Sequence, residues 1–275
     1  MTGALASRVH ARATARQSGV AARPTSPPVV MVIADAHGPL GESGQREYRL
    51  GAEYSKAIAE AGGLALILPH DSGQIAAMLE LADGLLVTGS APGAAQDTAR
   101  YSFEHKLVQA ALNCGMPLLG ICHGMQVIGQ CLGGTLVRDD PCLLAETSLH
   151  IPKPVPDEVA HDIHIQAASQ LAAWSPSLLC QVNSLHRHAL LEGGRYRVTA
   201  RASDGVVEAI EGLGASFCMG VQWHPEFQLT DLDRQIFSGF VKHCINWKSV
   251  VEKSSPRAME TESALWHQQK AKSLY

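Results

Sequence analysis

Three residues at two places in the chain suffice for nucleophilic catalysis. Cys122 stands in Leu118-Leu119-Gly120-Ile121-Cys122-His123-Gly124-Met125-Gln126, a G-x-C-x-G pattern between an apolar run and the start of a helix. This is the thiol counterpart of the G-x-S-x-G elbow, where a strand turns abruptly into a helix and strains the residue at the turn. The flanking glycines let backbone approach where a Cβ would clash. A helix N-terminus facing the sulfur favours the thiolate, the reactive form. Farther along comes Val221-Gln222-Trp223-His224-Pro225-Glu226. A histidine with a carboxylate two residues on supplies a base and the group that orients it. Alternate residues of an extended segment share a face, so both side chains can meet at one site. The chemistry is attack by sulfur on an acyl carbon, with imidazole carrying the proton.

Such an attack builds an oxyanion that needs two preorganised N–H donors. One falls naturally to His123, the residue after the nucleophile. The other falls to Gly89 or Ser90 in the turn Thr88-Gly89-Ser90-Ala91-Pro92-Gly93. The pairs His161-Asp162-Ile163-His164 and His186-Arg187-His188 raise the question of a metal. No cysteine or carboxylate cluster completes either with a ligand spacing, so they read as ordinary polar or substrate-site histidines and no metal is expected. Asn183-Ser184-Leu185-His186 reads as a polar strand end facing substrate, and Asp204-Gly205 as a turn into a strand.

The elements that must position these residues follow from the apolar patterning. Short apolar runs predict strands at 29–34, 64–68, 84–87 and 117–121. Helical spacing predicts helices at 48–61, 75–81, 103–112 and from Cys122 to Gly133-Gly134. Alternating strands and helices imply a mostly parallel central sheet with helices on both faces. Ligands in such sheets bind beyond the carboxyl ends of the strands, where Cys122 and the Thr88–Gly93 turn lie. Farther on, strands are predicted at 135–137, 161–165, 178–182, 196–200, 206–210 and 218–223, with a closing helix at 236–247. Several of these strands are joined by loops, which implies antiparallel additions to the sheet.

The bulk properties narrow the field. The chain has 275 residues, 46% of them apolar, enough for one substantial core. A net charge of -4 gives no basic field for nucleic acid. No apolar run is long enough to suggest a membrane span. Seven cysteines, an odd number without a C-x-x-C pair, fit free thiols in a reducing, cytoplasmic compartment. Residues 1–34 carry no Asp or Glu, and Arg8, Arg12, Arg16 and Arg23 recur among small residues. Residues 1–28 read as a disordered leader, with organellar targeting as the lesser alternative. A single domain is expected at 29–248, followed by a polar tail at 249–275.

Taken together, these residues resemble the class I glutamine amidotransferases, and within them the γ-glutamyl-γ-aminobutyrate hydrolases of the peptidase C26 type. The resemblance covers most of residues 29–247. It rests on Ala61-Gly62-Gly63, Leu68-Pro69-His70, Asp83-Gly84 leading to Gly89-Ser90, the elbow around Cys122, and Gly133-Gly134-Thr135-Leu136. It continues in Val182-Asn183-Ser184-Leu185-His186, Asp204-Gly205-x-Val207-Glu208-Ala209 and Gly220-Val221-Gln222-Trp223-His224-Pro225-Glu226. It implies a flavodoxin-like α/β fold and a Cys122-His224-Glu226 triad working through a γ-glutamyl thioester. It also implies that Gln126, Asn183, Ser184 and His186 help hold the glutamyl group. No cofactor is implied, because the covalent route needs none.

Two departures concern specificity. The family usually carries Arg directly after the nucleophile, and this chain has His123. The segment from Ser90 to Phe103 is shorter than usual, and Arg100-Tyr101 stands where Arg-Asp is common. The expected partner is a small γ-glutamyl amide of polyamine or related amine metabolism, with a homodimer as the assembly to test. Two other readings stand beside this one: a glutaminase subunit that delivers ammonia to a separate synthase, and a non-catalytic binding member of the fold.

Overall fold

The computed structural model describes residues 26–37, 47–90, 98–138, 150–151, 155–214 and 216–253. The first half of the chain alternates strand and helix. β1 (Val29–Ile33), β4 (Leu64–Leu68), β5 (Gly84–Val87) and β6 (Leu118–Ile121) are separated by α1 (Ala52–Glu60), α2 (Ile75–Leu81) and α3 (Thr98–Cys114). α4 (His123–Cys131) follows β6 directly. β2 (Asp35–His37) and β3 (Glu47–Arg49) form a separate antiparallel pair.

The second half adds β7 (Leu136–Arg138), β8 (His161–Ile165), α5 (Gln170–Trp174), β9 (Leu179–Val182) and β10 (His188–Leu190). Then come β11 (Tyr196–Ala202), β12 (Val207–Gly212), β13 (Cys218–Val221) and α6 (Asp231–Lys253). Nine strands make one sheet in the order β4-β1-β5-β6-β13-β12-β11-β8-β9. β4, β1, β5, β6 and β13 pair in parallel, and the last four strands continue antiparallel. The expected mostly parallel core with antiparallel additions is the observed one.

The apolar runs of β1, β5 and β6 are continuous because both faces of these strands are covered. Along β1, Val30 and Val32 enter the core under α1 and α6, while Met31 and Ile33 enter the core under α2, α3 and α4. The same alternation divides β6, with Leu119 on the first side and Leu118 on the second. The sheet is thus clamped between two apolar layers. Its carboxyl edge is left free of packing duties.

Several boundaries differ from expectation. α1 starts at Ala52, because residues 47–49 pair with β2 instead of joining the helix. Tyr48 carries helical spacing yet packs outside the helix, its ring 4.7 Å from that of His70 and its hydroxyl accepting the His70 N–H at 3.0 Å. α3 begins five residues earlier than expected, since its first turns bury Arg100 and Glu104 as a pair and hide the apolar stripe. α6 runs on to Lys253, into the stretch expected as tail. The leader expected at 1–28 lies almost wholly outside the described residues, as do positions 91–97 of the turn after Ser90 and the tail from 254 on. Among the described residues no helix is long and apolar enough to cross a membrane.

Candidate active site

The turn from β6 into α4 holds Cys122 at φ 52, ψ -106, one of two described non-glycine residues with positive φ. The elbow is tight because glycine permits it. A Cβ on Gly124 would collide with the Val87 carbonyl oxygen, and one on Gly120 would sit 2.6 Å from the Gly124 backbone. The helix can therefore press on β5 and swing the cysteine over the sheet edge. The Cys122 N–H donates to Val221 O at 2.8 Å, which locks the elbow to β13. The sulfur lies 3.8 Å from the Leu185 carbonyl oxygen and is almost buried.

β13 delivers the partner residues. His224 and Glu226 follow its end, and Glu226 lies in a short 3-10 turn at Pro225–Phe227. Glu226 Oε1 lies 2.8 Å from His224 Nδ1. The carboxylate can only accept, so Nδ1 carries the proton and Nε2 is left for Cys122. Nε2 is buried without a hydrogen-bond partner. Burial opposes charge on this imidazole, but the Glu226 carboxylate and the Cys122 sulfur outweigh it and raise the His224 pKa well above its ordinary value. His224 and Glu226 are thus joined, and the Cys122 sulfur lies near enough to bear on the charge of the imidazole.

The base is held by its backbone as well. Asn183 accepts the His224 N–H at 2.8 Å and donates to the His224 carbonyl at 2.9 Å and the Pro156 carbonyl at 2.6 Å. Trp223, fully buried, donates its indole N–H to Asp233 at 3.0 Å. Asp233 also accepts the Thr230 N–H at 2.9 Å, and Thr230 Oγ1 accepts the Asp233 N–H at 3.3 Å. That reciprocal pair is a capping box at the start of α6. The helix thus fixes the residue just before the base.

The expected oxyanion donors are placed at the same edge. His123 opens α4, where first-turn N–H groups have no partner within the helix. Gly89 lies against the imidazole, so that a Cβ there would be 3.0 Å from His224 Cε1. Its N–H, however, donates to the Tyr54 hydroxyl at 3.1 Å. Burial, then the nearby Glu226 carboxylate, raises the Tyr54 phenol well above its ordinary pKa. The Gly89 amide is therefore engaged by Tyr54. Sequence reasoning missed Tyr54; the one signal was an aromatic residue on an Ala-rich helix.

A buried ionic chain links both sides of the cleft. His123 Nε2 meets Glu104 at 2.8 Å, and Glu104 meets Arg100 Nε at 2.6 Å. Arg100 pairs with Asp35 and donates to Ser90 Oγ at 3.2 Å. Ser90 Oγ also donates to Asp35 at 3.2 Å. Burial alone would raise Glu104, but the His123 bond and charge and the Arg100 guanidinium hold it below the ordinary carboxylate value. Sequence reasoning singled out His123 and the pair Arg100-Tyr101 as departures from a pattern. The fold makes them two ends of one network, with Glu104 between them.

The four side chains expected to help hold substrate each make hydrogen bonds within the frame. Gln126 donates to His188 O at 3.3 Å and to Gln222 Oε1 at 3.1 Å. Asn183 holds His224, and Ser184 Oγ donates to His150 O at 3.0 Å. His186 is buried with both ring nitrogens engaged, Nδ1 near His188 O at 3.2 Å and Nε2 near His150 Nδ1 at 3.0 Å. His164 is exposed on the other face of β8 from His161, so those two cannot share a ligand. The fold instead gathers His161 and His186 with His150 and Glu208.

Residues 28–226 match the Peptidase C26 family model. The chain belongs to the peptidase C26 family. The gamma-glutamyl-gamma-aminobutyrate hydrolase of Escherichia coli is 32% identical over 244 residues, covering 79% of this chain and 93% of the relative. A protein of Rickettsia prowazekii provisionally named glutamine amidotransferase-like is 30% identical over 250 residues, covering 71% of this chain and 89% of the relative. The fold is matched by a crystal structure of a Thermoplasma acidophilum protein provisionally named as a GMP synthase subunit. Its TM-score is 0.59 at 18% identity, with 81% of this chain and 97% of that one covered. The architecture is that of the class I glutamine amidotransferases, and the family membership makes this an amidotransferase-like hydrolase.

Proposed function

We propose that the protein hydrolyses γ-glutamyl amides through a γ-glutamyl thioester on Cys122. The observation that carries this is the meeting, at one sheet edge, of a strained cysteine elbow with an imidazole held by a carboxylate at 2.8 Å. In the first half-reaction the Cys122 sulfur attacks the δ-carbonyl of the γ-glutamyl group. The C–N bond then breaks, and the amine leaves with the proton carried by His224. In the second half-reaction His224 takes a proton from water, the oxygen attacks the thioester, and glutamate and the free thiol are released. Glu226 keeps the imidazole in the tautomer that serves both steps.

The oxyanion would be met by the His123 N–H and, because the Gly89 amide serves Tyr54, by the Ser90 N–H. The ionic chain from His123 to Ser90 supports this pairing, since it ties both donors to one rigid frame. Gln126, Asn183, Ser184 and His186 act in this reading by positioning. The relatives named gamma-glutamyl-gamma-aminobutyrate hydrolase support γ-glutamylated amines as the substrate class; polyamine breakdown as their source is part of the proposal. The six described cysteines are all unpaired, which suits a reducing, cytoplasmic setting.

The test is product release by the purified chain from γ-glutamyl-γ-aminobutyrate, γ-glutamyl polyamines and glutamine. Glutamate from a γ-glutamyl amine, little from glutamine, and none from Cys122→Ala are expected. Wild-type turnover by Cys122→Ala would overturn the mechanism. Release from glutamine alone would overturn the substrate class.

A further inference from the structure

A second buried polar cluster has no part in this chemistry. His150, His161, His186 and Glu208 are all buried, and one donor atom from each lies within 4.8 Å of all the others. They come from four separate places: the described residue at 150, the start of β8, the segment after β9, and β12.

The proton inventory of the cluster is informative. His150 Nε2 lies 2.8 Å from Asp204 Oδ2, His161 Nδ1 3.1 Å from Asp162 O, and His186 Nδ1 3.2 Å from His188 O. Each partner is an oxygen acceptor, so each of these outer nitrogens is the N–H. In the neutral ring the other nitrogen then holds a bare lone pair. His150 Nδ1, His161 Nε2 and His186 Nε2 all turn inward, and so does the Glu208 carboxylate. Neither Glu208 oxygen nor His161 Nε2 has a hydrogen-bond partner. Four acceptors facing each other without a donor repel, and a buried carboxylate without a partner costs several kcal/mol by general experience. Either a shared proton or a cation has to stand among them.

The spacing fits a metal ion. Glu208 Oε1 is 3.4 Å from His186 Nε2, 3.5 Å from His150 Nδ1 and 3.7 Å from His161 Nε2, and the His150–His186 edge is 3.0 Å. Ligands about 2 Å from a tetrahedral zinc stand about 3.3 Å apart. A small inward movement of the His161 ring closes the set. Backbone carbonyls and Asp204 on the outer nitrogens are the supports that metal-binding histidines usually have.

We propose that His150, His161, His186 and Glu208 bind one divalent transition-metal ion, zinc by its tetrahedral three-nitrogen, one-oxygen set. Four protein ligands leave no open position, so the ion is structural. It would pin the segment whose Leu185 carbonyl lies against the Cys122 sulfur. This proposal departs from the expectation from sequence that no metal is held. Those histidines gain their carboxylate from β12 and their third ring from position 150, neither of which their own spacing reveals.

The test uses the full chain carrying Cys122→Ala, so that zinc on the catalytic thiol cannot mimic the site. After chelation and dialysis, added zinc should be retained at about one ion per chain and should raise Tm by about 5–10 °C at about a hundredfold excess over Kd. Added Co2+ should give the visible absorption of a tetrahedral site without a sulfur charge-transfer band. His161→Gln and Glu208→Gln should abolish retention, while His164→Gln, on the exposed face of β8, should keep it. The cobalt spectrum needs no site variant, so a misfolded mutant does not spoil the experiment. No retained zinc, no cobalt bands and an unchanged Tm would overturn the proposal and leave shared protons as the positive charge. Retention of zinc by both His161→Gln and Glu208→Gln would overturn the ligand set.

Discussion

Replacing Cys122 by alanine and by glycine should reverse the usual order of stability. At φ 52, ψ -106 the cysteine lies outside even the left-handed helical region that non-glycine residues tolerate. Such a conformation costs up to about 3 kcal/mol, a cost alanine shares and glycine escapes. Against that, glycine loses about 0.5–1 kcal/mol of extra chain entropy on folding. It also gives up one buried methyl, about 0.8 kcal/mol. The balance leaves Cys122→Gly more stable than Cys122→Ala by about 1 kcal/mol, or about 2–4 °C in Tm for a domain of this size. Both proteins are inactive, so the comparison isolates the backbone. Urea and thermal unfolding of the two measure it. If glycine were the less stable by its usual margin, the elbow would not store strain at Cys122.

Three further perturbations probe the frame. The alkaline limb of kcat/KM reports His224 losing its proton and should lie well above 6.5; Glu226→Gln removes a charge that favours imidazolium and should move that limb toward acid, which a pH–rate profile measures. Gly124→Ala drives a Cβ into Val87 O, a backbone contact that cannot yield, so destabilisation of about 3 kcal/mol and lost activity are expected in urea unfolding and turnover assays. Asp233 is raised by burial to about 6 from 3.8, so its contribution is full below 3.8 and lost as pH rises through 6. Asp233→Asn should flatten that slope of about 3 kcal/mol in stability measured against pH.

What could be read in the sequence was whatever local chemistry dictates. β1, β5 and β6 announced themselves because strands covered on both faces are apolar throughout. The elbow announced itself because Gly124 answers a clash with Val87, and Gly120 one with the Gly124 backbone, that any side chain would meet. β2, β3 and β10, three residues each, were not legible, since so short a strand carries no alternation to detect; β7, equally short, was legible because it follows the Gly133-Gly134 helix end. The His123–Glu104–Arg100–Asp35 chain was equally hidden. A buried charge looks like a surface charge in sequence, and only the packing of α3 against α4 tells them apart.

The segment from Asn183 to His188 shows why the site's supports matter as much as its reactive atoms. Within six residues it clamps the His224 backbone through Asn183 and lays the Leu185 carbonyl against the nucleophile. It also sends His186 into the second cluster and takes the Gln126 amide on the His188 carbonyl. This segment carries little regular structure between β9 and β10 to hold that geometry. Its rigidity has to come from the groups it touches, and the strongest anchor at its buried end is whatever charge sits among His150, His161, His186 and Glu208. Loss of that charge would loosen the wall of the cleft on the side of Leu185 while leaving the Cys122 elbow and the His224–Glu226 pair in place. A chain so altered should still alkylate at Cys122 and yet turn over poorly, because orientation, and not nucleophilicity, is what the anchored wall supplies.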